Sequence, residues 1–204
     1  MASADIILSH ETAFRFWQRF TGDRKQLKRS TRRKGLTDTV RLTPALLGEL
    51  AALGLAPSAG DPLHVLLADA DKRGKAPSIV AHVLSRELPM GAFIRVAEHV
   101  LVSSPELCFM QLADSRGVAG LILAGSELCG TYALVSEGSG AGRQLAARRP
   151  LTSARALVEF LSSAALPYGS RTAKRAATYV FDNAASPMEA KLALLLSQIG
   201  RAHV

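Results

Sequence analysis

Cysteine is scarce in this chain. Two thiols, Cys108 and Cys129, in 204 residues cannot make a disulfide framework. Both fall on apolar helix faces, where a cysteine serves as small core filler. Aromatic residues are only 5% of the chain. Trp17 and Phe20 are the aromatics near its most basic stretch, so the stacking platform of a single-strand binder is not evident. No apolar run reaches about 18 residues without a charge or a turn signal, which argues against a membrane span. The opening Met1-Ala2-Ser3-Ala4-Asp5 lacks a basic leader and the apolar run after it is short, so a secretory signal is not expected. A reducing, cytoplasmic setting is the default expectation. P-loop, CxxC and HExxH patterns are missing. The glycines of Gly138-Ser139-Gly140-Ala141-Gly142 lack a strong preceding strand and a later acidic partner, and Ser126 sits in no nucleophile elbow. His10, His64, His82 and His99 are scattered, without the tight spacing of a zinc site, and read as core or surface histidines.

Positive charge is abundant and uneven. The formal net charge is +8, from 25 Lys and Arg against 17 Asp and Glu. Residues 1–55 carry +5, residues 56–138 carry −3, and residues 139–204 carry +6. This alternation reads as separate modules more than as a uniform basic coat. The densest cluster holds seven cations in the eleven residues from Arg24 to Lys34: Arg24, Lys25, Lys28, Arg29, Arg32, Arg33 and Lys34. Such a tract lowers its self-repulsion by meeting phosphates and releasing counterions. The plain alternative is a solvated connector that binds nothing specific. Arg171, Lys174 and Arg175 lie three or four residues apart, on one face of a helix, as a second and weaker patch. Phosphate contacts of this kind position a protein on DNA without reading bases.

Helix signals punctuate the chain. Ser9 precedes apolar residues at Ala13, Phe16, Trp17 and Phe20, one helical face. Thr43-Pro44, Ser104-Pro105 and Ser186-Pro187 each place a capping residue before a proline at the first helical position. Short strands are expected at Thr39–Leu42, Leu63–Leu67, Ile79–Leu84, Phe93–Val96 and Val100–Val102. Single helices are expected over Gly117–Leu134, Pro150–Ala165 and Gly169–Phe181. The predicted fold is α+β: a small basic helical front, a short-stranded antiparallel sheet with helices, and a helical back. Four parts follow: 1–58, a basic helical module; 59–138, an α+β module; 139–185, a helical basic segment; and 186–204.

The segments Ile7-Leu8-Ser9-His10-Glu11-Thr12-Ala13 with Phe16-Trp17, Ile79-Val80-Ala81-His82-Val83-Leu84 through Leu88-Pro89, Phe93-Ile94-Arg95-Val96, and Leu101-Val102-Ser103-Ser104-Pro105-Glu106-Leu107-Cys108 form an ordered set. That set resembles AbiEi-type antitoxin and related regulator proteins. Leu128-Cys129-Gly130-Thr131-Tyr132 is similar to a subgroup that ends in a Vsr-like nuclease. The resemblance implies a front module that touches DNA or a partner, then an α+β module. It also implies that Ser186-Pro187-Met188-Glu189 opens the first helix of a restriction-endonuclease-like domain, with Glu189 as a metal-site acid. Such a nuclease needs further acids and a lysine around Mg²⁺. The other reading of Ser186 and Glu189 is a Ser-x-x-Glu capping box, which needs no metal. Ile199-Gly200-Arg201-Ala202-His203-Val204 looks like one reading frame of a common sequencing adapter, so residues 199–204 are expected to be an artefact standing where the natural gene continues past Ser197; the alternative is a genuine short tail. No catalytic residue and no cofactor are expected in this chain itself; Mg²⁺ belongs only to a completed nuclease. The expected function is nucleic-acid-associated regulation or defence, with DNA as partner. The alternatives are a metal-dependent endonuclease in full-length form and a scaffold that binds a partner protein without DNA.

Overall fold

Three consecutive apolar residues near the start, Ile6, Ile7 and Leu8, are all buried, so side chains on both faces of that strand are covered. The structure is a computed structural model that describes residues 5–30, 42–58, 60–67, 77–83, 88–136, 143–163 and 170–199. Its elements run β1 (Ile6–Leu8), α1 (His10–Arg19), β2 (Lys28–Ser30), α2 (Pro44–Ala52), β3 (Leu63–Leu67), β4 (Ile79–Val83), β5 (Phe93–Arg95), β6 (Val100–Ser103), α3 (Pro105–Gln111), α4 (Val118–Leu128), β7 (Tyr132–Ser136), β8 (Arg143–Ala147), α5 (Ala154–Ser162), α6 (Ser170–Ala177) and α7 (Pro187–Ile199). The class is α+β, as the sequence led one to expect. The described residues fall into two compact units. One is built from segments within Met1–Phe16 and Lys25–Cys108, the other from segments within Trp17–Arg24, Phe109–Ala164 and Tyr168–Val204. The division passes through α1 and α3 and interleaves the chain.

The first unit holds a six-stranded sheet of order β2-β5-β6-β1-β3-β4. It is mixed, which corrects the expected antiparallel sheet. β1 runs parallel to β6, with Ile6 opposite Val100, and β3 runs parallel to β4, with Leu63 opposite Ile79. The other three ladders are antiparallel. A two-residue hairpin forces antiparallel pairing, but 91 residues separate β1 from β6 and 11 separate β3 from β4, so neither pair is bound to that direction. The basic connector is also not wholly irregular: Lys28, Arg29 and Ser30 form β2 at the sheet edge, opposite Arg95, Ile94 and Phe93. Helix α2 begins where expected. Thr43 Oγ1 accepts the Leu46 N–H at 3.2 Å, and Gly54 in the left-handed region (φ 68°) follows the helix end. Helix α3 starts the same way, with Ser104 Oγ accepting the Leu107 N–H at 3.2 Å.

In the second unit, α4 carries the core through Leu121, Ile122, Ala124 and Leu128. The single helix expected over Gly117–Leu134 stops at Leu128, and Tyr132–Ser136 becomes β7, paired antiparallel with β8. The reason lies in close packing at Gly130, where a Cβ would sit 2.9 Å from the Ala184 carbonyl oxygen, and in the partner strand that β8 supplies. The helix expected from Pro150 starts at Ala154, because Ser153 Oγ caps it by accepting the Ala156 N–H at 3.2 Å. The helix expected over Gly169–Phe181 spans Ser170–Ala177. Arg148 is buried here: its guanidinium donates to the carbonyls of Trp17, Phe20 and Glu127, and burial pulls its pKa down to about 10. Both cysteines are buried and not joined in a disulfide. Among the described residues, no helix is long and apolar enough to cross a membrane. Residues 39–41 of the expected strand, the turn at 72–75, the glycine loop 138–142 and residues 200–204 lie outside the described residues.

Two glycines give opposite expectations. A Cβ on Gly125 in α4 would lie 2.5 Å from Val180 Cγ2 and 2.8 Å from Phe109 Cε2. Gly125→Ala is therefore expected to cost about 1–3 kcal/mol through overpacking, despite alanine's higher helix propensity. Gly48 in α2 is exposed with nothing within 4 Å of such a Cβ. Gly48→Ala is expected to add about 0.5–1 kcal/mol. Urea unfolding of the two variants measures both signs.

Candidate functional site

The basic tract divides when its members are placed. Arg24 is half-buried and donates to the Leu151 carbonyl, so its charge is used within the fold. Lys25 is exposed beside it. Lys28 and Arg29 are exposed on the edge strand β2, where consecutive side chains point to opposite faces. The Arg29 stem packs over Gly91, whose virtual Cβ lies 3.3 Å from Arg29 Cδ and whose φ of 78° requires glycine. Lys28 stands opposite Arg95, but Arg95 is neutralised by Asp5 through a forked pair at 3.2 and 2.5 Å. That pair raises the Arg95 pKa further. Arg32, Arg33 and Lys34 lie outside the described residues.

The second patch is one-sided. Helix α6 buries Ala173, Ala176 and Ala177 and exposes Arg171, Lys174 and Arg175. Alanine on the inner face lets the short helix pack closely, and the 3.6-residue period then sends all three cations to solvent.

Glu189 is occupied by helix capping. Ser186 Oγ accepts the Glu189 N–H at 3.2 Å, and Glu189 Oε2 accepts the Ala185 N–H at 2.9 Å. Elsewhere, in the first unit, Glu49, Glu98 and His99 bring side chains of ligand type within 4.8 Å of one another. Glu49 Oε2 there accepts the His99 backbone N–H at 3.0 Å. The Arg95 guanidinium donates to the Glu98 carbonyl at 2.5 Å, which puts a cation beside the group.

The histidines are the residues whose association the sequence did not reveal. His10, His64 and His82 form a column in the first unit. The His10 and His82 rings stack at 3.5 Å between centroids with planes 15° apart, and His64 Nδ1 lies 3.0 Å from His82 Nε2. Strand pairing places them. Leu8 pairs with Val65, so the chain leaving β1 turns into α1 directly over His64. Ser9 N–H donates to the His64 carbonyl at 2.9 Å, and Thr12 Oγ1 accepts the His64 N–H at 2.8 Å. On β4, His82 is level with Leu66, two residues along from His64 and therefore on the same face. His10 holds a left-handed backbone (φ 46°), uncommon for a side chain of its size, and its Nδ1 lies 3.0 Å from Ser9 Oγ. His10 and His82 lie 72 positions apart, so spacing alone gave no sign of their meeting.

Burial, then the neighbouring His64, lower the His10 pKa to about 4 against an opposing pull from Glu11. Burial is also the largest cause lowering His64, where Glu11 opposes it and Arg15 adds to it. Both rings are therefore neutral at pH 7. Comparison of the chain with models of known families, with characterised proteins and with solved structures finds no match.

The sign of the resulting pH dependence follows from linkage. The folded pKa of His10 lies below its ordinary value of 6.5, so between pH 6.5 and about 4 the unfolded chain binds more protons. Stability is complete above about pH 6.5 and declines as pH falls, by on the order of 3 kcal/mol across the full interval. Unfolding measured between pH 6.5 and about 5, above most carboxylate titration, is expected to show this slope. His10→Asn, which tolerates the left-handed backbone, is expected to flatten it.

Proposed function

We propose that this chain is a nucleic-acid-associated regulator or defence protein of the AbiEi-like kind, which grips polyanions without cutting them. The single observation that carries the reading is the cationic face of α6, where Arg171, Lys174 and Arg175 project together from an alanine-packed base. Lys25, Lys28 and Arg29 add exposed charge at the start of the basic tract. These side chains supply sequence-independent attraction through counterion release, so they position the protein along a backbone and leave base choice open. Glu189 enters this reading as a helix cap, which supports a non-catalytic role for its helix in this chain.

A second reading is a protein-interaction scaffold, and one observation favours it. Met188, Leu192, Leu195 and Leu196 are exposed on α7 at helical spacing, an apolar stripe of the kind partner helices recognise.

A salt titration of duplex DNA binding separates the two. The first reading expects binding at low ionic strength, with log K falling against log salt at a slope of about −3 to −5. Replacing Arg171, Lys174 and Arg175 together by Glu is expected to reduce the magnitude of that slope by about 2–3 and to weaken binding at least tenfold. Absence of duplex binding in dilute buffer overturns the nucleic-acid reading and leaves the scaffold. A slope unchanged in the triple variant overturns the role of α6.

A further inference from the structure

The histidine column brings two imidazole nitrogens of neighbouring strands together. We propose that His64 Nδ1 and His82 Nε2 chelate a divalent transition-metal ion of the Zn²⁺ class. The two nitrogens are 3.0 Å apart, on parallel neighbouring strands of fixed register. An ion bonded to both at about 2.0–2.1 Å subtends an angle of about 95° at that spacing. This is close to the right angle between neighbouring ligands of a six-coordinate ion. Ring centroids 5.2 Å apart now aim the two nitrogens nearly at each other, so binding pivots both rings toward the ion and, for the tetrahedral angle, opens the pair by about 0.3–0.4 Å. Neutral imidazole nitrogens are good donors to Zn, Cu and Ni.

Without an ion, the 3.0 Å contact requires one of the two nitrogens to carry a proton and the other to accept it. With an ion, both lone pairs point at the metal. The ring that was the donor then carries its proton on its other nitrogen, so binding between neutral rings conserves protons.

His10 is a positioning residue in this arrangement. A ligand metal lies in the imidazole plane, and His10 is parallel to His82 at 3.5 Å, so it cannot bond the same ion from that stack. It fixes the plane of His82 and is itself held by Ser9 Oγ. The charge of Glu11 acts on His10 and His64 in the sense that favours a cation, while Arg15 opposes it at His64. Two protein nitrogens leave the remaining coordination positions to water or to an outside oxygen donor, which makes an open site of modest affinity.

The test uses the full 204-residue chain and Zn²⁺ alone, with calorimetry and imidazole ¹⁵N spectra at pH 7.5. The expected result is one saturable event, with the Nδ1 of His64 and the Nε2 of His82 shifting together. His64→Gln and His82→Gln are each expected to weaken binding at least tenfold, and His99→Gln to leave it unchanged. The wild-type spectrum identifies the ligands without any substitution, so a variant that folds poorly does not decide the outcome. Absence of binding at millimolar Zn²⁺, or saturation without a shift at those two nitrogens, overturns the proposal. Loss of binding in His99→Gln assigns the ion to Glu49, Glu98 and His99 and also overturns it.

Discussion

The three residues of β1 hold the first unit in register. They pair in parallel with Val100–Val102 on one side and antiparallel through Leu8 and Val65 on the other. In the strand order it stands between the ladder β2-β5-β6 and the pair β3-β4. Its residues are buried on both faces, so a one-residue slip would exchange the faces without exposing polar groups. Register is instead secured from outside the strand. Ser9 and Thr12, in the first turn after β1, take up both the carbonyl and the N–H of His64. The same pairing that closes the sheet therefore delivers three imidazoles to one place.

Cations serve two different purposes in this molecule. Arg148 and Arg24 spend their donors on backbone carbonyls, and Arg95 grips Asp5, so these charges are structural. Arg171, Lys174, Arg175, Lys28 and Arg29 face solvent, where charge costs little. A count of net charge treats both groups alike. Burial separates them, and among the described members of the seven-cation tract it sets Arg24 apart from Lys25, Lys28 and Arg29.

Helix starts were legible because their causes are local. Thr43-Pro44, Ser104-Pro105 and Ser186-Pro187 each put an oxygen acceptor and a preset φ within four residues of the N–H groups that need them. The strands at Leu63, Ile79, Phe93 and Val100 were also legible, as short β-branched or aromatic runs between turns. Strand β7 was missed because Leu134 and Val135 suit a helix or a strand, and only the pairing with β8 decides between them. Strand β2 was missed because Lys-Arg-Ser has weak strand propensity, and edge position favours such charged residues. The α6 patch was visible as a spacing of three and four residues. The histidine column was not, because separations of 54 and 18 positions carry no periodic signal.

Local free energy is what the amino-acid order determined unaided: caps, prolines, turn residues and apolar runs marked where most elements begin and showed that the chain mixes helices with short strands. Strand direction, the end of α4, the inward turn of Arg148 and the meeting of His10, His64 and His82 were settled by the tertiary structure alone. Each depends on a partner distant in the chain, and contacts of that kind gain their energy only after the loop between them has closed.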